Sequence, residues 1–267
     1  MEKLELINRS KKIRKSVLTL CCEKKASHVG GALSITDVLN YLYFNYLNID
    51  PKDSKNSNRD YFFYSKGHAC TALYCTLMER GFFSSEDLCT FTDNGSFFTS
   101  HVNHKINGVE LSTGSLGHAL SVATGIAYGL KIQKKQNKVV VVLSDGELNE
   151  GSNWEALLFS AHHKLDNLTI LVDYNKIQSF GRIDEVLNLE PLKAKFEAFN
   201  LNTVEIDGHN FNEIDFAFKA NKNQKPKMII ANTIKGKGVS FMEDRLEWHY
   251  KSPSKEQLEL AFVELNS

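Results

Sequence analysis

Apolar and polar positions fall into blocks along this chain, and the blocks read as helices alternating with strands. Leu6, Ile7, Ile13, Val17, Leu18 and Leu20 recur among charges, which predicts an amphipathic helix over residues 4–22. A second helix is expected over 34–47, after a loop in which Gly30 and Gly31 follow His28. Residues 59–65 predict a strand, 70–80 a helix and 118–134 another helix. Residues 139–143 form a short, continuous β-branched run, the pattern of a strand buried on both faces. A helical pattern over 150–164 and a second apolar run over 168–172 follow. This unit has the length of one right-handed βαβ crossover, which brings both polar strand ends to one edge of a parallel sheet. Strands over 203–206 and 227–231 and helices over 211–220 and 253–265 continue the alternation. The expectation is a single α/β domain over 1–267, a doubly wound, mostly parallel sheet with helices on both faces.

Open α/β sheets bind ligands outside the carboxyl ends of their strands, so the polar strand tips are the place to look for chemistry. Ser144-Asp145-Gly146 ends the first apolar run and Asp173-Tyr174-Asn175 the second, so Asp145 and Asn175 stand thirty positions apart. Two hard oxygen donors meeting there suit Mg²⁺ or Ca²⁺. Either residue alone reads equally as a solvated turn or a helix cap. His28, His68 after Ser65-Lys66-Gly67, His101, Gly114, Ile234 and His249 all lie on loops at predicted strand ends. Any one histidine reads as readily as a loop residue. So many at one edge, beside a metal-type pair, point to a site. His101 and Gly114 belong to the irregular segment 97–117, and a loop that long in a compact domain is usually functional.

Composition narrows the function classes. With 267 residues, 42% hydrophobic and formal net charge zero, the chain can bury a core but carries no nucleic-acid or membrane-surface footprint. The charged N-terminus is no signal peptide, and no apolar run is long enough to span a bilayer. The five cysteines form no C-x-x-C pair and read as free thiols of a reducing cytoplasm. No G-x-G-x-x-G turn follows the first strand, which argues against an ordinary nucleotide-binding Rossmann domain.

Ser144-Asp145-Gly146 and Asp173-Tyr174-Asn175 resemble the thiamine diphosphate motif, with Ser in place of its first Gly and a single Asn in place of its Asn-rich end. Ser27-His28-Val29-Gly30-Gly31, Ser65-Lys66-Gly67-His68-Ala69, His101 before Gly108-Val109-Glu110, Thr113-Gly114-Ser115-Leu116-Gly117 and Trp248-His249 extend the match over nearly the whole chain. In this order they resemble the N-terminal, diphosphate-binding half of transketolase. The resemblance implies that Asp145, Asn175 and the Ile177 carbonyl hold Mg²⁺, with Ca²⁺ or Mn²⁺ as substitutes. It implies that Gly146 and Glu147 offer backbone N–H groups to the diphosphate, with His68, His249 and Ile234 beside it. Gly114, Ser115 and Leu116 would hold the aminopyrimidine end, and His28, His68, His101 and His249 would serve proton traffic along a sugar channel. The implied reaction passes a two-carbon ketol unit from a ketose to an aldose, either one phosphorylated.

Whole-length transketolases continue beyond the point where this chain stops, into a pyrimidine-binding and a C-terminal domain. The expectation is therefore one subunit of a split enzyme, inactive alone and completed by a C-terminal partner subunit in an α2β2 heterotetramer. The rival readings are a 1-deoxyxylulose-5-phosphate synthase fragment, the α subunit of a 2-oxo acid dehydrogenase, and a non-catalytic thiamine diphosphate-binding module. The histidine set favours sugar chemistry over oxo-acid decarboxylation.

Overall fold

Five strands, β1 (Tyr61–Tyr64), β2 (Val139–Ser144), β3 (Leu168–Tyr174), β4 (Asn202–Asp207) and β5 (Lys227–Asn232), form one sheet in the order β1-β2-β3-β5-β4. Every pairing is parallel. The computed structural model describes residues 2–220 and 223–266. Met1 and Ser267, the ends of the expected 1–267 domain, lie outside the described residues.

Alternation along the buried strands divides the core into two layers. Val140, Val142, Leu171 and Ile229 face a layer with helices α1 (Lys3–Glu23), α2 (Val29–Tyr41), α3 (Cys70–Arg80), α9 (Phe211–Lys219) and α10 (Lys255–Asn266). Val139, Val141, Leu143, Ile170 and Ile230 face the opposite layer, with α5 (Ala119–Ile132), α6 (Gly151–His162) and α8 (Leu192–Ala198). A right-handed crossover puts its helix on a face set by the direction of winding. The chain runs outward from β2 to β3 through α6 and turns back from β4 to β5 through α9, so these two helices lie on opposite faces. The expected doubly wound fold is thus observed, and among the described residues the sheet is wholly parallel.

All five expected strands form, and Asp173 and Tyr174 belong to β3 rather than to the turn after it. The glycine pair is a correction. Gly30 and Gly31 lie in the first turn of α2, which begins at Val29 rather than at Ser34. Their close approach is nevertheless met, because a Cβ on Gly30 would lie 3.0 Å from the Lys235 Cγ and 3.2 Å from the Trp248 carbonyl oxygen. Three short helices, α4 (Ser85–Leu88), α7 (Ile183–Val186) and α8, were absent from the expected elements. No helix among the described residues is long and apolar enough to cross a membrane.

Candidate active site

A cleft of about 390 Å³ opens at the carboxyl edge of the sheet. Asp145 follows β2, Asn175 follows β3, His68 follows β1 and Lys235 follows β5, and all four line it with His28 and His249. The spacing read from the sequence therefore brings Asp145 and Asn175 to one wall.

That wall is built from buried polar groups. Asp145 is 2% exposed, and its two carboxylate oxygens accept the Gly146 and Lys176 N–H groups, each at 2.7 Å. Burial, with the Asp173 carboxylate adding to it, pushes the Asp145 pKa up to about 6. The Asn175 side-chain oxygen accepts the Ile177 N–H at 3.2 Å, and its amide nitrogen faces Asp173 at 3.5 Å. The Ile177 carbonyl accepts the Lys235 ammonium at 3.0 Å. A positive group thus already rests on the one backbone oxygen expected to face a cation.

These donors fit the metal and diphosphate that the motif implies. A carboxylate, a side-chain amide oxygen and a backbone carbonyl are the hard ligands that Mg²⁺ takes alongside phosphate oxygens and water. On the same wall the Gln178 side-chain nitrogen is buried without a hydrogen-bond partner, while its oxygen accepts Asn149 at 3.2 Å. A buried donor left unsatisfied is costly unless a ligand completes it, and a diphosphate oxygen would do so.

Asp173 and Lys66, of which Lys66 lines the cleft, form an ion pair that is almost wholly out of solvent. Burial is the largest influence on Asp173 and would raise its pKa, but the Lys66 ammonium and the hydrogen bonds from Lys66, Thr233 and Ser34 together outweigh it and lower the pKa. Ser34 donates to the same carboxylate at 2.7 Å, Thr233 donates to its other oxygen, and Lys66 also reaches the Gly31 carbonyl at 2.9 Å. Local spacing does not reveal this pair, because its members belong to the ends of different strands, 107 positions apart.

Three histidines line the same cleft, joined to the Asp145 wall by Lys235, whose ammonium also lies 3.0 Å from the His249 Nδ1. Ring centroids lie 4.9 Å apart for His28 and His249, 5.4 Å for His28 and His68, and 5.8 Å for His68 and His249. Burial, then His101 and the lysines, lowers the His28 pKa to about 4. Burial and Lys235 lower that of His249 to about 3, and burial and Lys66 lower that of His68. Burial also lowers Lys235 to about 8. The three imidazoles are thus neutral at pH 7, each able to accept a proton at one nitrogen and donate from the other. His28 adopts a left-handed backbone (φ 68) that non-glycine residues rarely take, and the His249 carbonyl accepts its N–H at 2.9 Å.

The remaining candidates divide. Gly114 and Leu116 line the cleft. His101 is exposed and outside the lining, with its ring against Gly114 and 6.2 Å from that of His28. Ser115, between Gly114 and Leu116, is exposed and does not itself line the cleft. Ile234 also stays out, with its N–H taken by His209 at 2.9 Å. Gly146 lines the wall, but its N–H is spent on Asp145. The Glu147 side chain is fully buried; it accepts from Ser65 and from the Gly117 N–H at 2.8 Å, fastening β1 and the 113–117 turn to β2.

The family described as transketolase, thiamine diphosphate binding domain, matches residues 8–259. The chain belongs to this family. One apulose-4-phosphate transketolase subunit, from Actinobacillus succinogenes, is 44% identical, with 98% of this chain and 96% of the relative covered. A 6-deoxy-6-sulfo-D-fructose transketolase subunit from a Clostridium species is 39% identical, covering 99% and 97%. The crystal structure of transketolase from Campylobacter jejuni superposes with a TM-score of 0.91 at 29% identity. It covers 99% of this chain, which spans only 43% of that transketolase. The chain is thus a homologue of the N-terminal subunits of split transketolases, and its cleft lies in a thiamine diphosphate-binding domain.

Proposed function

We propose that this chain is the metal- and diphosphate-holding subunit of a split transketolase, passing a two-carbon ketol unit from a ketose to an aldose. The observation that carries the reading is one cleft lined by two unlike groups. Asp145, Asn175, the Ile177 carbonyl and the unsatisfied Gln178 donor form a metal-type wall, and neutral His28, His68 and His249 cluster in the same cleft. The first wall suits Mg²⁺ bridged to a diphosphate. When bound, thiamine diphosphate supplies the carbanion chemistry that breaks the bond beside a ketose carbonyl. This chain's residues supply the rest. Asp145, Asn175 and Ile177 hold the metal, Lys235 offsets diphosphate charge, and the histidines hold or release protons at sugar oxygens.

The relatives that match over their full length are themselves named as transketolase subunits, which supports a second polypeptide carrying the pyrimidine-binding half, in an α2β2 assembly. The two relatives' names each specify a sugar with an anionic group, so phosphorylated or sulfonated ketoses are the proposed substrate class. Free cysteines accord with a cytoplasmic setting.

Coupled ketol transfer, assayed with this chain, its partner subunit, Mg²⁺ and thiamine diphosphate, tests the proposal. Activity is expected only with both polypeptides and is lost in Asp145→Ala. Ketol transfer by the chain alone, or pyruvate decarboxylation without ketol transfer by the pair, would overturn it.

A further inference from the structure

We infer that His209, outside the cleft, is a positioning residue that holds the Ile234–Lys235 backbone so that Lys235 meets the cofactor wall. The inference rests on the thiamine diphosphate reading of the cleft. The path is continuous and polar. Arg14 on α1 grips Asp37 on α2 with two hydrogen bonds, at 2.9 and 2.7 Å, and also reaches the Leu33 carbonyl at 3.3 Å. The Asp37 carboxylate meets the His209 Nδ1 at 2.8 Å, and the His209 Nε2 meets the Ile234 N–H at 2.9 Å. His209 stands on the short turn between β4 and α9, and its side chain is 11% exposed.

Chemistry fixes the roles of the two ring nitrogens. A backbone N–H can only donate, so the Nε2 facing Ile234 must carry a lone pair. Asp37 accepts from Arg14 through both oxygens, so its contact with Nδ1 is an N–H donated by the ring. His209 is therefore the neutral Nδ1–H tautomer, donating on one side and accepting on the other.

What hangs from Ile234 explains why this matters. Thr233, one residue before, donates to Asp173 behind the metal wall. Lys235, one residue after, places its ammonium on the Ile177 carbonyl at 3.0 Å and beside the His249 Nδ1 at 3.0 Å. A slip of the Ile234 backbone would therefore move a cation relative to the Ile177 carbonyl and the His249 ring at once. Gly236 cannot take up that slip freely: its N–H is held by the Gly30 carbonyl at 2.9 Å, and an added Cβ would lie 2.3 Å from the Met242 carbonyl oxygen.

Two amide replacements separate the two hydrogen bonds of the ring. His209→Gln can carry an amide oxygen to the Nε2 position and keep the Ile234 contact while losing the donor to Asp37. His209→Asn does the reverse. Calorimetric titration of thiamine diphosphate with Mg²⁺ into the full chain assembled with its partner should show affinity reduced about tenfold in H209N and within about twofold of wild type in H209Q. If His209 mattered only as a prop for Asp37, H209Q would be the weaker binder. That order, or equal affinities in all three proteins, overturns the inference. A second measurement does not depend on cofactor binding. Nitrogen NMR of the wild-type ring should show the Nδ1–H tautomer, and hydrogen exchange a protected Ile234 amide; the Nε2–H tautomer overturns the inference even if H209N fails to fold. Absence of binding by the wild-type assembly would instead refute the thiamine diphosphate reading and leave the tautomer measurement decisive for His209.

Discussion

Lys66 and Asp173 show how much the cleft depends on a buried ion pair at its base, of which Lys66 lines the cleft itself. Their side chains are 1% and 0% exposed, so neither charge is hydrated. Removing one partner of such a pair leaves an uncompensated buried charge, which typically costs about 3–5 kcal/mol. Lys66→Met should therefore lower the unfolding free energy by about that much in urea titration; a loss below about 1 kcal/mol, the range of exposed pairs, would contradict the buried-pair reading. The histidines make a second prediction at this scale. With the His28 and His249 pKa values near 4 and 3, NMR titration of the unliganded chain should show both rings neutral from pH 8 down to about 5. A His28 midpoint near the ordinary value of about 6.5 would contradict the desolvated cluster. Asp145, Asn175 and His68 were legible in the sequence because each sits just past a strand end that apolar patterning reveals, whereas His28 and His101 lie between helices and His249 in a turn before α10, and these were legible through the motifs around them. Asp173, Gln178 and His209 were not. Asp173 lies within a strand, and the partners of the other two are set by folds of the chain that local spacing does not encode.

Among the elements, α1, α2 and the turn after β4 are clasped by Arg14, Asp37 and His209. Burial alone would raise the Asp37 pKa, but the Arg14 guanidinium, with His209, holds it far below the usual carboxylate range. Its folded pKa lies below its unfolded one. Its contribution to stability is therefore complete above about pH 4 and fades as the pH falls toward the folded pKa. Asp37→Asn should both destabilise the chain at pH 7 and flatten the acid limb of stability measured by chemical denaturation. An unchanged acid limb would show that the clasp is not ionic. The longer helices, α1 above all, bury a stripe long enough to show its period. The missed α4 and α7 have four residues each and α8 seven, too short to complete two turns of periodicity. The start of α2 was misplaced for a different reason. Glycine is a poor helix former, yet Gly30 fits the first turn because a side chain there would press on Lys235 and Trp248, whereas a Cβ on Gly31 would meet Lys66 and His68 only at ordinary contact distance.

For the whole molecule, parallel pairing and right-handed crossovers gather every polar strand tip at one edge, which is why so much of the fold could be read from alternating blocks. On one side the cleft is lined by the Phe180 ring, which is 83% exposed. Solved transketolases are more than twice as long as this chain, and the proposed partner would close that side. Mixing the chain with its partner subunit should therefore give a complex of fixed stoichiometry by light scattering, with ketol transfer appearing as the complex forms; activity independent of the partner's concentration would contradict the split site. The most direct measurement is a calorimetric titration of thiamine diphosphate into that complex, with and without Mg²⁺, for the wild-type and Asp145→Ala chains. Saturable binding of one cofactor per chain that needs both Mg²⁺ and Asp145 is the expected result, and binding of equal strength without the metal or without Asp145 would contradict it.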